Sequence, residues 1–211
     1  MKKKNNKLLT MSEQLNNFDK KINISVLKGP CLAKELAQKI PTNAIIANKK
    51  LKIAKSIGKI VSTKYYKIEY STDVKGVEIC SAIKNIYSII IGSSKGLNTA
   101  SSLFWKSLLE MVYLTKFFKG KEQTVYGLAG LGDLYVSAMG GRNSKIGKYL
   151  GQGYDYKSAK NKFMPNDTIE GAILAKEIAN YVLKKIDNKK IPLMTDLIKV
   201  ISKNKKLKIN L

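Results

Sequence analysis

Strand-forming sequence in this 211-residue chain is confined to its first third. β-Branched and apolar runs at 22–27, 43–47 and 64–70 alternate with helix-compatible segments at 31–38 and 50–61. From Thr72 onward the strand pattern stops and apolar residues recur at helical spacing, predicting helices at 73–91, 101–118, 142–150, 169–185 and 192–202. This asymmetry predicts an α/β remnant of a doubly wound sheet followed by an all-α C-terminal domain. The boundary falls at residues 1–71 against 72–211, where Ser71, Thr72 and Asp73 offer N-cap oxygens to the helix that follows. The βαβαβ pattern is half of a doubly wound sheet, too short for a whole dinucleotide-binding domain, and the residues before Ile22 read as a mostly polar lead-in.

Composition narrows the chemistry. The chain has no histidine, which removes the commonest general base, the Ser-His and Cys-His nucleophile pairs and nearly every zinc site. No metal site is expected, and any catalysis must run on lysine, carboxylates, tyrosine or a cofactor. Cys31 and Cys80 lack C-x-x-C spacing and read as reduced thiols of a cytoplasmic protein, with no signal peptide and no run near the ~20 apolar residues of a membrane span. The net charge is +24, from 39 Lys and Arg against 15 Asp and Glu, which alone would suggest nucleic acid or another anionic partner. The lysines are spread over every expected helix rather than gathered on one face, which argues against a nucleic-acid partner.

In the helix expected from residue 73, apolar residues cover most of the circumference, while Ser81, Lys84, Asn85 and Ser88 stack on one narrow stripe. Such a stripe is either the solvated side of an amphipathic helix or a working face. Lys84 is the best acid/base candidate, because apolar neighbours favour a neutral amine. Eight of the 15 glycines lie between 127 and 153, a density that means tight turns or close approach to a ligand. Gly140, Gly141, Arg142 and Asn143 precede a helix, where free N–H groups and a guanidinium would hold a phosphate. Arg142 is the only arginine beside 38 lysines, so it is expected where a planar fork is needed and a point charge will not serve. Asp133, in the same glycine-rich loop, either orients Lys84 and accepts hydroxyls or serves the turn. Gly29, in the Gly-Pro turn after the first strand, stands at a sheet edge where such folds bind ligands.

Six segments then occur in order: K-G-P-C-L-A-K-E-L at 28–36, P-T-N-A-I-I-A at 41–47, G-V-E-I-C-S-A-I-K-N at 76–85, G-L-A-G-L-G-D-L at 127–134, G-G-R-N-S-K-I-G at 140–147 and I-E-G-A-x-x-A-K at 169–176. With these the chain resembles the NAD(P)-dependent glycerol-3-phosphate dehydrogenase family from about residue 8 to about residue 203. The resemblance implies an oxidoreductase that interconverts dihydroxyacetone phosphate and glycerol 3-phosphate with NAD or NADP. It implies Lys84 as the acid/base and Asp133 as its catalytic partner, with Gly29, Cys31, Asn85, Gly141, Arg142 and Asn143 around the substrate. Ala33, Arg142, Thr168 and Glu170 would lie beside the cofactor. Family members also carry a G-x-G-x-x-G half and a T-K-G segment. No G-x-G-x-x-G occurs here, and Lys7, Leu8 and Leu9 stand where a remnant of T-K-G would be. The alternative is therefore a truncated or split relative that binds substrate or a partner without turnover. A half sheet also leaves an open edge, to be covered by a homodimer partner or by the missing N-terminal half.

Overall fold

The computed structural model of the chain describes residues 1–4 and 7–208. It opens with an antiparallel hairpin, β1 (Lys2–Lys4) and β2 (Lys7–Leu9), and Leu8 is buried in the main core. The lead-in expected to be merely polar is thus structured. A capping box at Thr10 starts α1 (Met11–Phe18): the Thr10 hydroxyl accepts from the Glu13 N–H, and the Glu13 carboxylate accepts from the Thr10 N–H at 2.9 Å. Ser12 then donates its N–H to buried Glu78 at 2.9 Å, and the Lys75 ammonium meets Glu13 at 2.6 Å, fastening α1 to the helical part.

The sheet follows as β3 (Val26–Lys28), α2 (Ala33–Ala37), β4 (Thr42–Ala47), α3 (Leu51–Val61) and β5 (Tyr66–Ser71), in the order β3-β4-β5. β4 and β5 are parallel, from Thr42 opposite Tyr66 to Ala47 opposite Ser71, as a strand–helix–strand unit requires. β3 runs antiparallel to β4, with Val26 opposite Ala47 and Lys28 opposite Ile45, so only part of the doubly wound pattern is present. A parallel return needs a crossover element that travels back along the sheet, and the five-residue α2, none of whose residues is buried, is too short to do so.

The rest is helical: α4 (Val74–Gly92), α5 (Leu97–Phe117), α6 (Glu122–Tyr126), a π-helical turn (Leu128–Gly132), α7 (Asp133–Gly140), α8 (Arg142–Gly151), α9 (Tyr156–Phe163), α10 (Glu170–Lys185), a 3₁₀ turn (Asn188–Lys190) and α11 (Pro192–Lys203). Asp73 is the N-cap of α4, as expected, and its carboxylate also accepts from the Lys121 N–H at 2.8 Å and the Thr124 hydroxyl at 2.6 Å. α4 is the spine against which α5, α7, α8 and α10 all pack. α8 lies almost backbone to backbone on it, because a Cβ at Gly147 would come within 2.1 Å of the Ile89 carbonyl oxygen and one at Gly92 within 2.3 Å of that of Ser144. One contiguous apolar core runs from Val26, Ile45 and Ala47 of the sheet through Val77, Ile83 and Ile86 to Leu197 and Ile198 of α11. Among the described residues no helix is long and apolar enough to cross a membrane, and no cluster of metal-ligating side chains occurs.

Candidate active site

The glycine-rich segment expected as a loop is largely helical. Gly130 sits in the π turn with its α-carbon so close to the Val125 carbonyl oxygen that a Cβ would lie 2.1 Å away. That packing aims the start of α7 at α4, and Asp133 is the first residue of α7 rather than a loop residue. The polar stripe on α4 is also not a solvated face. Ser81 and Ser88 are buried, and Ser88 donates its hydroxyl to the Lys84 carbonyl at 2.8 Å.

At the centre of the stripe, Lys84 Nζ donates to Asp133 Oδ1 at 2.6 Å and to Ser137 Oγ at 2.6 Å. Both members of the ion pair are largely withdrawn from water, with side chains 14% and 11% exposed. Burial pushes the Asp133 carboxyl above the usual carboxylate range, against the pull of the Lys84 ammonium and of Lys28, which lies on β3. An ammonium has three N–H bonds, and two are engaged here, so the third is the one a ligand oxygen can use. Lys84 and Asp133 are thus in direct contact, and the arrangement adds Ser137, which does not stand out in the sequence. The signal was available in the spacing: Ser137 follows Asp133 by one helical turn on the same face of α7.

One residue along α4, Asn85 Oδ1 accepts from Asn143 Nδ2 at 3.1 Å. Buried Asn143 accepts the Gly171 N–H on its Oδ1 at 2.9 Å, and Arg142 pairs with Glu170. α10 reaches this point closely because a Cβ at Gly171 would meet the Asn85 carbonyl oxygen at 2.3 Å. Two polar groups thus branch from neighbouring positions of α4: Lys84 with Asp133 and Ser137 of α7, and Asn85 with Asn143 of α8, which is joined to Glu170 and Gly171 of α10. Arg142 and Glu170 form the more exposed part of the second group, with side chains 54% and 40% exposed. Gly141 is the N-cap of α8 and offers no side-chain cap, so the N–H groups of that first turn have no side-chain acceptor from it.

The remaining expected residues lie further out. Gly29 takes φ +133°, a backbone conformation suited to glycine, and its loop lies close to Ala44, while Pro30 Cγ would be 3.6 Å from a Cβ placed on Gly132 of the π turn. Cys31, Ala33 and Thr168 are exposed, and no hydrogen bond joins their side chains to either group. Cys80 is buried within α4, and burial pushes its thiol up to about 12, so it stays protonated and inert. Mostly apolar cavities of about 400 Å³ beside Ile90, Leu103 and Leu193, and about 560 Å³ beside Leu97, Phe104 and Met139, contain neither Lys84 nor Arg142.

A small sheet followed by a helical domain is an architecture shared with solved glycerol-3-phosphate dehydrogenases. The comparisons specify it further. The model of the NAD-dependent glycerol-3-phosphate dehydrogenase C-terminus matches residues 73–210, and that of the N-terminus of the same family matches residues 2–54. A Clostridium botulinum glycerol-3-phosphate dehydrogenase [NAD(P)+] is 32% identical over 203 residues, covering 93% of this chain and 59% of that protein. An Archaeoglobus fulgidus NADP(+)-dependent glycerol-3-phosphate dehydrogenase is 33% identical over 142 residues, covering 63% and 42%. The crystal structure of glycerol-3-phosphate dehydrogenase from Coxiella burnetii superposes with a TM-score of 0.84 at 28% identity, over 92% of this chain and 61% of that one. The chain belongs to the NAD-dependent glycerol-3-phosphate dehydrogenase family.

Proposed function

We propose that the protein is an oxidoreductase interconverting dihydroxyacetone phosphate and glycerol 3-phosphate with NAD or NADP. The observation that carries this reading is Lys84 Nζ, largely withdrawn from water and held by Asp133 and Ser137 with one N–H uncommitted, on the helix position next to Asn85, which bonds to Asn143. On reduction the Lys84 ammonium gives its proton to the carbonyl oxygen as the carbon becomes a secondary alcohol; on oxidation the amine takes that proton back. Asp133 stabilises the ammonium and fixes its direction, Ser137 fixes it from a second side, and Asn85 aligns the substrate. Arg142, Asn143 and the first turn of α8 hold the phosphate, which suits a planar fork beside free N–H groups.

A nicotinamide cofactor, when bound, supplies or accepts the hydride. The donor set suits its nicotinamide end: Glu170 and Arg142 are half-exposed and Glu170 is tied through Asn143 to Asn85 of α4, with Thr168 just before α10 and Ala33 at the start of α2. The diphosphate end finds no G-x-G-x-x-G among the 211 residues. In this reading residues 1–71 face the cofactor and 72–211 carry substrate binding and catalysis. The two free thiols suit the cytoplasm. A homodimer partner or a separate N-terminal half would cover the outer edge of β3.

The test is dihydroxyacetone-phosphate-dependent oxidation of NADH and NADPH, with Lys84→Met expected to lower turnover by roughly 10²- to 10⁴-fold while circular dichroism stays unchanged. Turnover that survives in Lys84→Met overturns the assignment. A second reading is a relative that binds the phosphorylated substrate without turnover; retained glycerol 3-phosphate binding with no cofactor binding would select it.

A further inference from the structure

Glu170 holds both of the side-chain donors that the proposed function gives to the substrate phosphate. One carboxylate oxygen pairs with Arg142 Nη2 and the other accepts from Asn143 Nδ2 at 3.5 Å. The backbone keeps these groups together. Glu170 is the first residue of α10, the next N–H, that of Gly171, is bonded to Asn143 Oδ1 at 2.9 Å, and Gly171 is pressed against the Asn85 carbonyl. With the backbone of Gly171 held in place, rotation of the half-exposed Glu170 or Arg142 side chain is what parts the carboxylate from the guanidinium. Two carboxylate oxygens on a guanidinium and an amide imitate two of the terminal oxygens of a phosphate monoester. The ion pair is half-exposed, so water and salt weaken it, and an anion of higher charge can displace it.

Resting on the assignment of Arg142 and Asn143 as the phosphate anchor, we propose that Glu170 is a specificity-determining residue that occupies this anchor as an internal anion. A phosphate dianion displaces it and a carboxylate monoanion does not. The seat then selects phosphorylated three-carbon substrates over their carboxylate or uncharged counterparts, because only the dianion gains more from Arg142 than Glu170 loses.

Calorimetric titration of the full chain with glycerol 3-phosphate, inorganic phosphate and glycerate, at low salt, tests this. Glu170→Gln is expected to bind glycerol 3-phosphate and inorganic phosphate about three- to five-fold tighter than the parent, and to narrow the preference for phosphate over glycerate. Glu170→Asp keeps the charge but shortens the reach, and is expected to shift affinity in the same direction. Unchanged or weaker phosphate binding in Glu170→Gln overturns the proposal, since the carboxylate would then be positioning the fork. A Glu170→Asp variant that behaves like the parent overturns it too, since general repulsion rather than contact would be at work. Arg142→Gln separates the two readings: if it keeps full phosphate affinity, the anchor assignment itself fails.

Discussion

Asp133 and Glu110 are both buried carboxylates turned toward α4, yet they are satisfied in different ways. Glu110 on α5 accepts only neutral donors, from the Leu193 N–H at 2.7 Å, the Met194 N–H at 3.1 Å and the Tyr87 hydroxyl at 2.9 Å. It caps the start of α11 from outside that helix, and burial pushes its carboxyl up to about 7, opposed by those three bonds. Asp133 instead faces an ammonium that still has a donor to spend. The contrast teaches that a buried, perturbed acid is not by itself a reacting centre. What separates the two is whether the partner of the carboxylate retains capacity for a ligand.

The strongest way to break the comparison is Glu110→Ala, which leaves two backbone N–H groups and a phenol without their acceptor. It is expected to destabilise the fold by about 3–5 kcal/mol in urea denaturation. A loss well under 1 kcal/mol would show that the cap is not structural. Next in size is a pH effect. The Glu110 carboxyl titrates near 7 in the fold but near its ordinary 4.5 when unfolded, so the fold prefers the protonated form. Its contribution is present in full below about pH 4.5 and is lost as pH rises through 7, amounting to about 3 kcal/mol by pH 8. Glu110→Gln is expected to remove that slope, measured as the difference between parent and variant from pH 4.5 to 8; parallel curves would mean that Glu110 does not titrate in this range. The smallest effect sharpens the other side. Ser137→Ala is expected to lower turnover about ten-fold with little change in melting temperature, and Ser137→Thr to restore it. Loss of stability without loss of turnover would make Ser137 a packing residue.

How far the sequence exposes these features depends on how local their cause is. Lys84 and Asp133 stand out because an isolated charge on an apolar helix and an acid in a glycine-rich run are local signals. Arg142 stands out against 38 lysines. The Glu110 cap is invisible in the sequence, since its acceptors serve N–H groups 83 and 84 residues away. The Ser81–Ser88 stripe has the pattern of a wet face and becomes interior only because α7 and α8 pack along α4. Local apolar spacing also identifies β3 as a strand without giving its direction.

That direction carries its own result. Because β3 runs against its neighbour, it hands the Lys28–Gly29–Pro30 corner to the end of the sheet that abuts the π turn, where Pro30 lies near Gly132 and the positive charge of Lys28 is felt by Asp133. Laid the other way, the same three residues would emerge at the far rim near Asn48, and the acid of the pair would lose its second cation. The direction of one short strand thus decides which cation stands near an acid on a helix more than a hundred positions downstream.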